Sequence, residues 1–240
     1  MHCGQTSEII RSLEQISGLT ELNLALKDCS MELNQLGEVL KPLAEKLPLK
    51  KFSCFIEDCY MVEEGFAVFS TSIGLMKDLE ELSINFGEGY DCYGTTLSYF
   101  YRCLSKLKHL KRIRISHRDI HICPVFWVLA MDYVADMTHQ LEALELIFKR
   151  IEVFENTILE VYCDTIEKLT HLKVLKIILD GNVQFKEVTL QRFVKIIRGL
   201  PELKDIQFNY GQLETPLSKE TREMLAVSGK NYLKHRSETL

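Results

Sequence analysis

The segment LEALELIF at residues 141–148 decides the fold, because its apolar residues follow the spacing Leu-x-x-Leu-x-Leu-x-Phe. The same spacing, with other apolar residues allowed, occurs seven times along the chain. It begins at Leu19, Leu49, Leu79, Leu110, Leu141, Leu172 and Leu203. These positions lie 30 or 31 residues apart. A constant period of this length predicts a solenoid in which each repeat stacks on the next.

Within each repeat the apolar period changes from two residues to between three and four. Residues 22–26, LNLAL, alternate as in a strand with one buried face. In the fifth repeat the apolar residues from Ile158 to Leu169 have helical spacing, and Thr157 with Glu160 matches a capping box. Each repeat therefore predicts one strand and one helix. The stack predicts an α/β solenoid with a parallel sheet on its concave face and helices on its convex face.

The two ends of the chain have the character of helical caps. Residues 1–18 predict an N-terminal cap helix that stops at Gly18, and residues 212–240 predict a C-terminal cap helix and tail that begins near Thr215. Such caps cover the core that a terminal repeat exposes. The sequence thus predicts a single domain over residues 1–240, with seven repeats at 19–211.

Composition limits the classes of partner. The chain is 46% hydrophobic and 26% charged with a net charge of −5, so a general attraction to nucleic acid is not expected. No apolar stretch approaches the roughly 18 residues of a membrane span. The first residues lack the apolar core of a signal peptide. These features predict an intracellular protein of the cytoplasm, where it could also be associated with the cytoskeleton.

The eight cysteines do not form a metal-binding pattern, because no C-x-x-C pair is present. Cys29 and Cys59 occupy one position in consecutive repeats, and so do Cys92 and Cys123. Small apolar side chains would stack at such positions. We therefore expect reduced, mostly buried thiols and no metal, cofactor or disulfide.

The repeat pattern resembles the leucine-rich-repeat superfamily, specifically its long, helix-containing repeats of the ribonuclease-inhibitor type. The resemblance covers roughly residues 19–211. The chain departs from the family at the position after each strand, where the usual Asn or Cys is replaced. The residues found there are Lys27, Glu57, Gly87, Arg118, Lys149, Asp180 and Gly211. The resemblance implies a horseshoe-shaped protein that binds other proteins.

The outward strand positions predict a candidate binding patch on the sheet. It comprises Phe55, Arg114, Glu145, Ile147, Lys176 and Ile178. Arg114, Glu145 and Lys176 follow each other in three repeats, so their charges alternate. Either these charges neutralise one another, or Arg114 and Lys176 bind acidic groups of a partner, with Ile147 and Ile178 as an apolar anchor.

The segment between the third strand and its helix, residues 87–94, is the most distinctive connection. Its glycines predict a projecting loop, on which Tyr90 and Tyr93 are candidate contacts for a partner. Two other groups give weaker signals. The basic residues at 106–114 are interpreted as a solvated strand entrance, and His117 with His121 is a weak metal or catalytic pattern.

These observations predict a non-enzymatic protein-binding or scaffold subunit of a larger multi-subunit assembly. One alternative is a substrate-recognition subunit of a ubiquitin ligase, although about 18 residues before the repeats are too few for an F-box. A second is a Ran-type GTPase-activating protein, whose characteristic loop residues have no match in this sequence.

Overall fold

The computed structural model describes residues 8, 12–27, 33–57, 63–87, 94–118, 124–213, 218–221 and 233–235. Strands and helices alternate along the chain. The strands are β1 (Glu21–Lys27), β2 (Lys51–Glu57), β3 (Glu81–Phe86), β4 (Arg112–Arg118), β5 (Ala143–Glu155), β6 (Val174–Gln184), β7 (Asp205–Leu213) and β8 (Leu233–His235). The α-helices are α1 (Leu33–Lys46), α2 (Glu63–Gly74), α3 (Gly94–Leu104), α4 (Pro124–Ala135), α5 (Asn156–Lys168) and α6 (Glu187–Gly199). A short 3-10 helix, Leu13–Gln15, precedes β1.

The strands form one parallel sheet in which each strand pairs with the next in the chain. The register matches the sequence repeat residue for residue. Its first apolar row contains Leu22, Phe52, Leu82, Ile113, Leu144, Leu175 and Ile206. The predicted α/β class, the continuous parallel sheet and the repeat register are confirmed at this level.

One face of the sheet is covered by the helices, because buried and more exposed residues alternate along the strands. Ile84, Ile115, Leu146 and Ile177 are fully buried, as their spacing predicts. Leu24 was expected to be equally buried but is only partly so. It lies on β1, which pairs on one side only within the described residues, so fewer neighbours cover it.

Stacked aromatic rings fill the core below the strand ends. The ring of His117 lies between Phe86 and Phe148, with ring centroids 5.2 Å and 5.6 Å away. From α4, Trp127 packs edge-on against Phe148 at 5.2 Å. These residues are buried, so an aromatic column joins β3, β4 and β5 in addition to the hydrogen bonds that β4 makes with each of its two neighbours.

The start of α5 differs from the predicted capping box. Thr157 donates its hydroxyl hydrogen bond to Glu155, at 3.3 Å, and the carboxylate of Glu160 accepts from the amide of Asn156, at 2.6 Å. The residue before the helix makes no side-chain cap. Asn156 supplies the competing donor, so the capping-box prediction is wrong.

Only short segments of the two predicted caps belong to the described residues. Near the N-terminus the 3-10 helix Leu13–Gln15 contacts α1, and Gly18 follows with φ of 83°, a conformation that favours glycine. Thr215 lies outside the described residues. Farther along, the hydroxyl of Ser218 accepts the backbone N–H of Thr221 at 3.1 Å, and both hydroxyls donate to Glu187 at the start of α6.

Candidate functional site

The face of the sheet away from the helices presents two rows of side chains, which we call the outer sheet face. The first row contains Asn23, Ser53, Ser83, Arg114, Glu145, Lys176 and Gln207. The second row contains Ala25, Phe55, Asn85, Ser116, Ile147, Ile178 and Asn209. Because the strands are parallel and in register, residues of one row lie side by side about 4.8 Å apart along the strand-pairing direction.

The three charges of the first row lie together, as the repeat spacing predicts. Arg114 Nε lies 3.7 Å from Glu145 Oε2, and Lys176 is the partner of Glu145 in the register with β6. The Arg114 side chain is 55% exposed, so this ion pair is weak and solvent-screened. The guanidinium can therefore turn to a carboxylate of another molecule without breaking a buried contact.

The apolar part of the candidate patch is smaller than expected. Ile147 is only 5% exposed, so its predicted role as an exposed anchor is wrong. It lies in β5, which pairs on both sides, between Ser116 and Ile178. Pairing on both sides does not by itself explain this burial, because Phe55 and Ile178 also lie on strands that pair on both sides. Phe55 and Ile178 are partly exposed and remain available for contact.

Charges also alternate at the strand entrances, a pattern that was not predicted from the sequence. Glu80 forms ion pairs with lysines on both sides: its Oε1 lies 3.4 Å from Nζ of Lys50, and its Oε2 lies 3.1 Å from Nζ of Lys111. The hydrogen bond from Lys111 and its positive charge lower the pKa of Glu80. The signal was present in the sequence as opposite charges 30 or 31 residues apart.

A second series of ion pairs runs beside the first. Glu81 lies 3.2 Å from Lys51 and 4.0 Å from Arg112. Lys111 and Arg112 of the basic segment 106–114 thus each face a carboxylate of the preceding strand. This arrangement supports the interpretation of that segment as a solvated strand entrance.

Most of the segment 87–94, predicted to be a projecting loop, falls outside the described residues, and so do Tyr90 and Tyr93. Its first residue, Gly87, is described and buried. A Cβ atom at this position would lie 2.9 Å from the Cα of Glu57, so only glycine fits against β2. Gly87 is therefore explained by a close backbone approach at the base of the loop.

The strongest pKa shifts belong to core residues. Burial lowers the pKa of His117 to about 3 and raises that of Cys163 to about 12. His117 is fully buried between aromatic rings, so it is not placed to act as a surface ligand with His121, which lies outside the described residues. Cys54, Cys103 and Cys163 are buried thiols. Among the described residues, no group of three or more His, Cys, Asp or Glu could hold a metal ion.

A cleft of about 380 Å³ lies where α5 and α6 begin. Its polar groups bond to one another. The side-chain oxygen of Asn156 accepts the backbone N–H of Lys186 at 2.8 Å, and Glu160 accepts from Asn156 and, at 3.4 Å, from Thr189. The bonds that involve Lys186 and Thr189 join consecutive repeats, so these polar groups have a structural role.

Comparison with known proteins adds no family assignment: no protein-family model matches this sequence, and no curated protein matches it significantly. The resemblance to leucine-rich repeats therefore stays a prediction. In the described part of the chain, none of the helices is both long and apolar enough to cross a membrane.

Proposed function

We propose that this chain is a leucine-rich-repeat solenoid, curved like a horseshoe, that acts as a non-enzymatic protein-binding or scaffold subunit of a larger intracellular assembly. The observation that carries the proposal is the outer sheet face. Seven consecutive strands hold two rows of outward side chains in strict register. A rigid surface of this kind suits the recognition of another protein.

The binding patch on this face is proposed to centre on Arg114 and Ile178. Arg114 offers a planar cation that can hold a carboxylate through two hydrogen bonds. Ile178 and Phe55 are partly exposed apolar side chains in the second row. Arginine and apolar anchors contribute much of the energy of protein interfaces. A partner segment with an acidic group beside an apolar one would fit this arrangement.

The test begins with affinity purification of the protein from its native cell and identification of bound proteins by mass spectrometry. Binding of the identified partner is then measured for Arg114→Glu/Ile178→Asp and for Tyr90→Ala/Tyr93→Ala. A matched control, Asn23→Glu/Ala25→Asp, adds charge to the same two rows at β1, where both side chains are exposed and outside the patch.

We expect at least one of the two test variants to weaken binding by more than about tenfold, roughly 1.4 kcal/mol. The control should bind as the unmodified protein does. Circular dichroism should show all three variants folded. Normal binding by both folded test variants would contradict the proposed patch and loop and would favour the helices or the chain ends as the contact.

A further inference from the structure

The α4 helix is apolar on both of its faces. Its inner face buries Trp127 and Met131 in the core. Its outer face carries Val125, Val128 and Leu129, which are 66%, 38% and 45% exposed. The spacing i, i+3, i+4 places these three side chains in one continuous stripe. Apart from the charge of Asp132 one turn later, the exposed residues of this face are apolar, and exposed apolar side chains that lie together are typical of a contact surface.

Other helices show what an uncovered outer face looks like in this chain. The outer residues of α1 include Glu38, Lys41 and Glu45, and those of α5 include Asp164 and Glu167, all exposed. Exposed apolar side chains of comparable size occur singly on other described helices. The stripe on α4 is therefore a local departure from the pattern of solvated helix surfaces.

The adjacent helix α3 carries a further partly exposed aromatic side chain and a charge, and the hydroxyl of that side chain, Tyr99, lies 3.0 Å from the hydroxyl of Thr71 on α2. Tyr99 of α3 is 37% exposed, and α3 packs directly against α4. Arg102 follows Tyr99 by three residues, and Asp132 follows Leu129 by three residues, so each apolar residue is followed by a charge one turn later. Both charged residues are exposed.

Arg102 and Asp132 do not use the ion pairing that joins several charged residues of consecutive repeats. Pairs such as Lys27–Glu57, at 3.1 Å, and Arg192–Asp164, at 2.6 Å, bridge adjacent repeats. Within the described part of the chain, neither Arg102 nor Asp132 forms an ion pair with another side chain. Their charges are therefore available to a second molecule.

We propose that the outer face of α3 and α4 is a self-association surface that pairs with the same surface of a second copy of this chain. A two-fold axis parallel to the helices places α3 of each copy against α4 of the other. Tyr99 then contacts the Val128–Leu129 stripe of the second copy. Arg102 faces Asp132 of the second copy, and this ion pair occurs twice because the interface is symmetric.

Charge complementarity selects a second copy as the occupant. The surface carries one cation and one anion at equivalent positions on two parallel helices, so a two-fold rotation matches opposite signs. A face built from helices of 11 and 12 residues is small for a permanent dimer. We therefore expect reversible, concentration-dependent dimerisation. The outer sheet face stays open in this dimer, so the inference is independent of the proposed partner binding.

The test is sedimentation velocity of the full chain over a concentration series, with three test substitutions and one control. Leu129→Asp should weaken the dimer by more than about tenfold, because it places an acid in the apolar centre. Val188→Asp is the matched control, since Val188 is a 67% exposed valine on α6, outside this surface, and it should dimerise as the unmodified chain does.

Two charge reversals test the geometry itself. Arg102→Asp and Asp132→Arg should each weaken self-association, because each variant opposes like charges across the two-fold axis. An equimolar mixture of the two variants should recover a heterodimer, because every charge then meets its opposite. A chain that stays monomeric at all concentrations would overturn the proposal. So would charge variants that dimerise singly or that fail to associate when mixed.

Discussion

Replacing His117 by phenylalanine should remove an acid sensitivity that this side chain gives to the fold. The imidazole is fully buried between Phe86 and Phe148, and burial lowers its pKa to about 3. In the unfolded chain the ring titrates near its ordinary pKa of 6.5. Below that value the ring is protonated in the unfolded state but stays neutral in the folded state, so the free energy of unfolding falls as the pH falls.

The magnitude follows from the two pKa values. The contribution of His117 is fully present above pH 6.5 and is lost progressively as the pH falls towards 3. Between pH 7 and pH 5 the unfolded state gains about 2 kcal/mol from protonating this ring, at about 1.4 kcal/mol per pH unit. Both pH values lie well above 3, so this loss depends mainly on the unfolded pKa.

Urea unfolding at 25 °C, followed by circular dichroism at pH 7 and at pH 5, measures the effect. The free energy of unfolding of the unmodified protein should fall by about 2 kcal/mol more than that of His117→Phe. Phenylalanine already occupies the equivalent position in β3 and β5, so the replacement suits the aromatic column. The exposed His109, replaced by glutamine, is the matched control for removing one imidazole.

Equal losses of stability in the unmodified protein and in His117→Phe would refute this reasoning. That result would mean that the folded protein accepts the proton on His117, and therefore that the ring is reached by water or by a carboxylate. All other titratable groups are common to the two proteins, so their contributions cancel in the comparison.

Four further outcomes are expected. Leu146→Ala should cost about 2–5 kcal/mol in urea unfolding, since Leu146 is fully buried in the sheet, and an unchanged midpoint would contradict the repeat register. Cys163 should react with iodoacetamide about 1000-fold more slowly at pH 8 than in the unfolded chain, because burial raises its pKa from 9.0 to about 12, and peptide mapping measures this rate. Alkylation of the denatured, unreduced protein should add eight groups by intact mass, whereas fewer would reveal a disulfide. Glu187→Gln should speed amide exchange in residues 218–221, because the hydroxyls of Ser218 and Thr221 donate hydrogen bonds to the Glu187 carboxylate and so hold this segment against α6. The same hydrogen bonds lower the pKa of Glu187. In the unmodified protein these bonds are complete above the ordinary pKa of 4.5 and weaken as the pH falls through the lowered value.

The strand register could be predicted from sequence because one physical requirement repeats at every coil. Each strand must turn its apolar residues towards the helices, and a shift by one residue would expose all of them. Seven copies of the pattern leave one alignment that satisfies every strand, and Leu82, Ile113 and Leu144 lie side by side as that alignment requires. Details of individual repeats, such as the bond between Asn156 and Glu160, depend on local competition among donors.

The exposure of the candidate patch could be predicted only in part. Arg114 is exposed because a long charged side chain reaches solvent from any outward position. Ile147 is buried although its position in the repeat is equivalent to that of Phe55. Sequence spacing predicts the face on which a side chain lies. It does not predict how closely the neighbouring strands cover that side chain. β5 is also longer than the repeat pattern predicts: it has 13 residues in all, and its second half pairs with the extended β6.

Charge order across the repeats distinguishes surfaces that stabilise the stack from surfaces free to bind. Side chains at one level of consecutive strands are neighbours, so like charges there repel and opposite charges attract. The series Lys50, Glu80, Lys111 obeys this rule, and its charges are used within the chain. Arg102 and Asp132 on α3 and α4 do not pair within the described residues, and an apolar stripe lies beside them. We therefore expect binding there, as proposed for self-association, and around the loosely paired Arg114 of the outer sheet face.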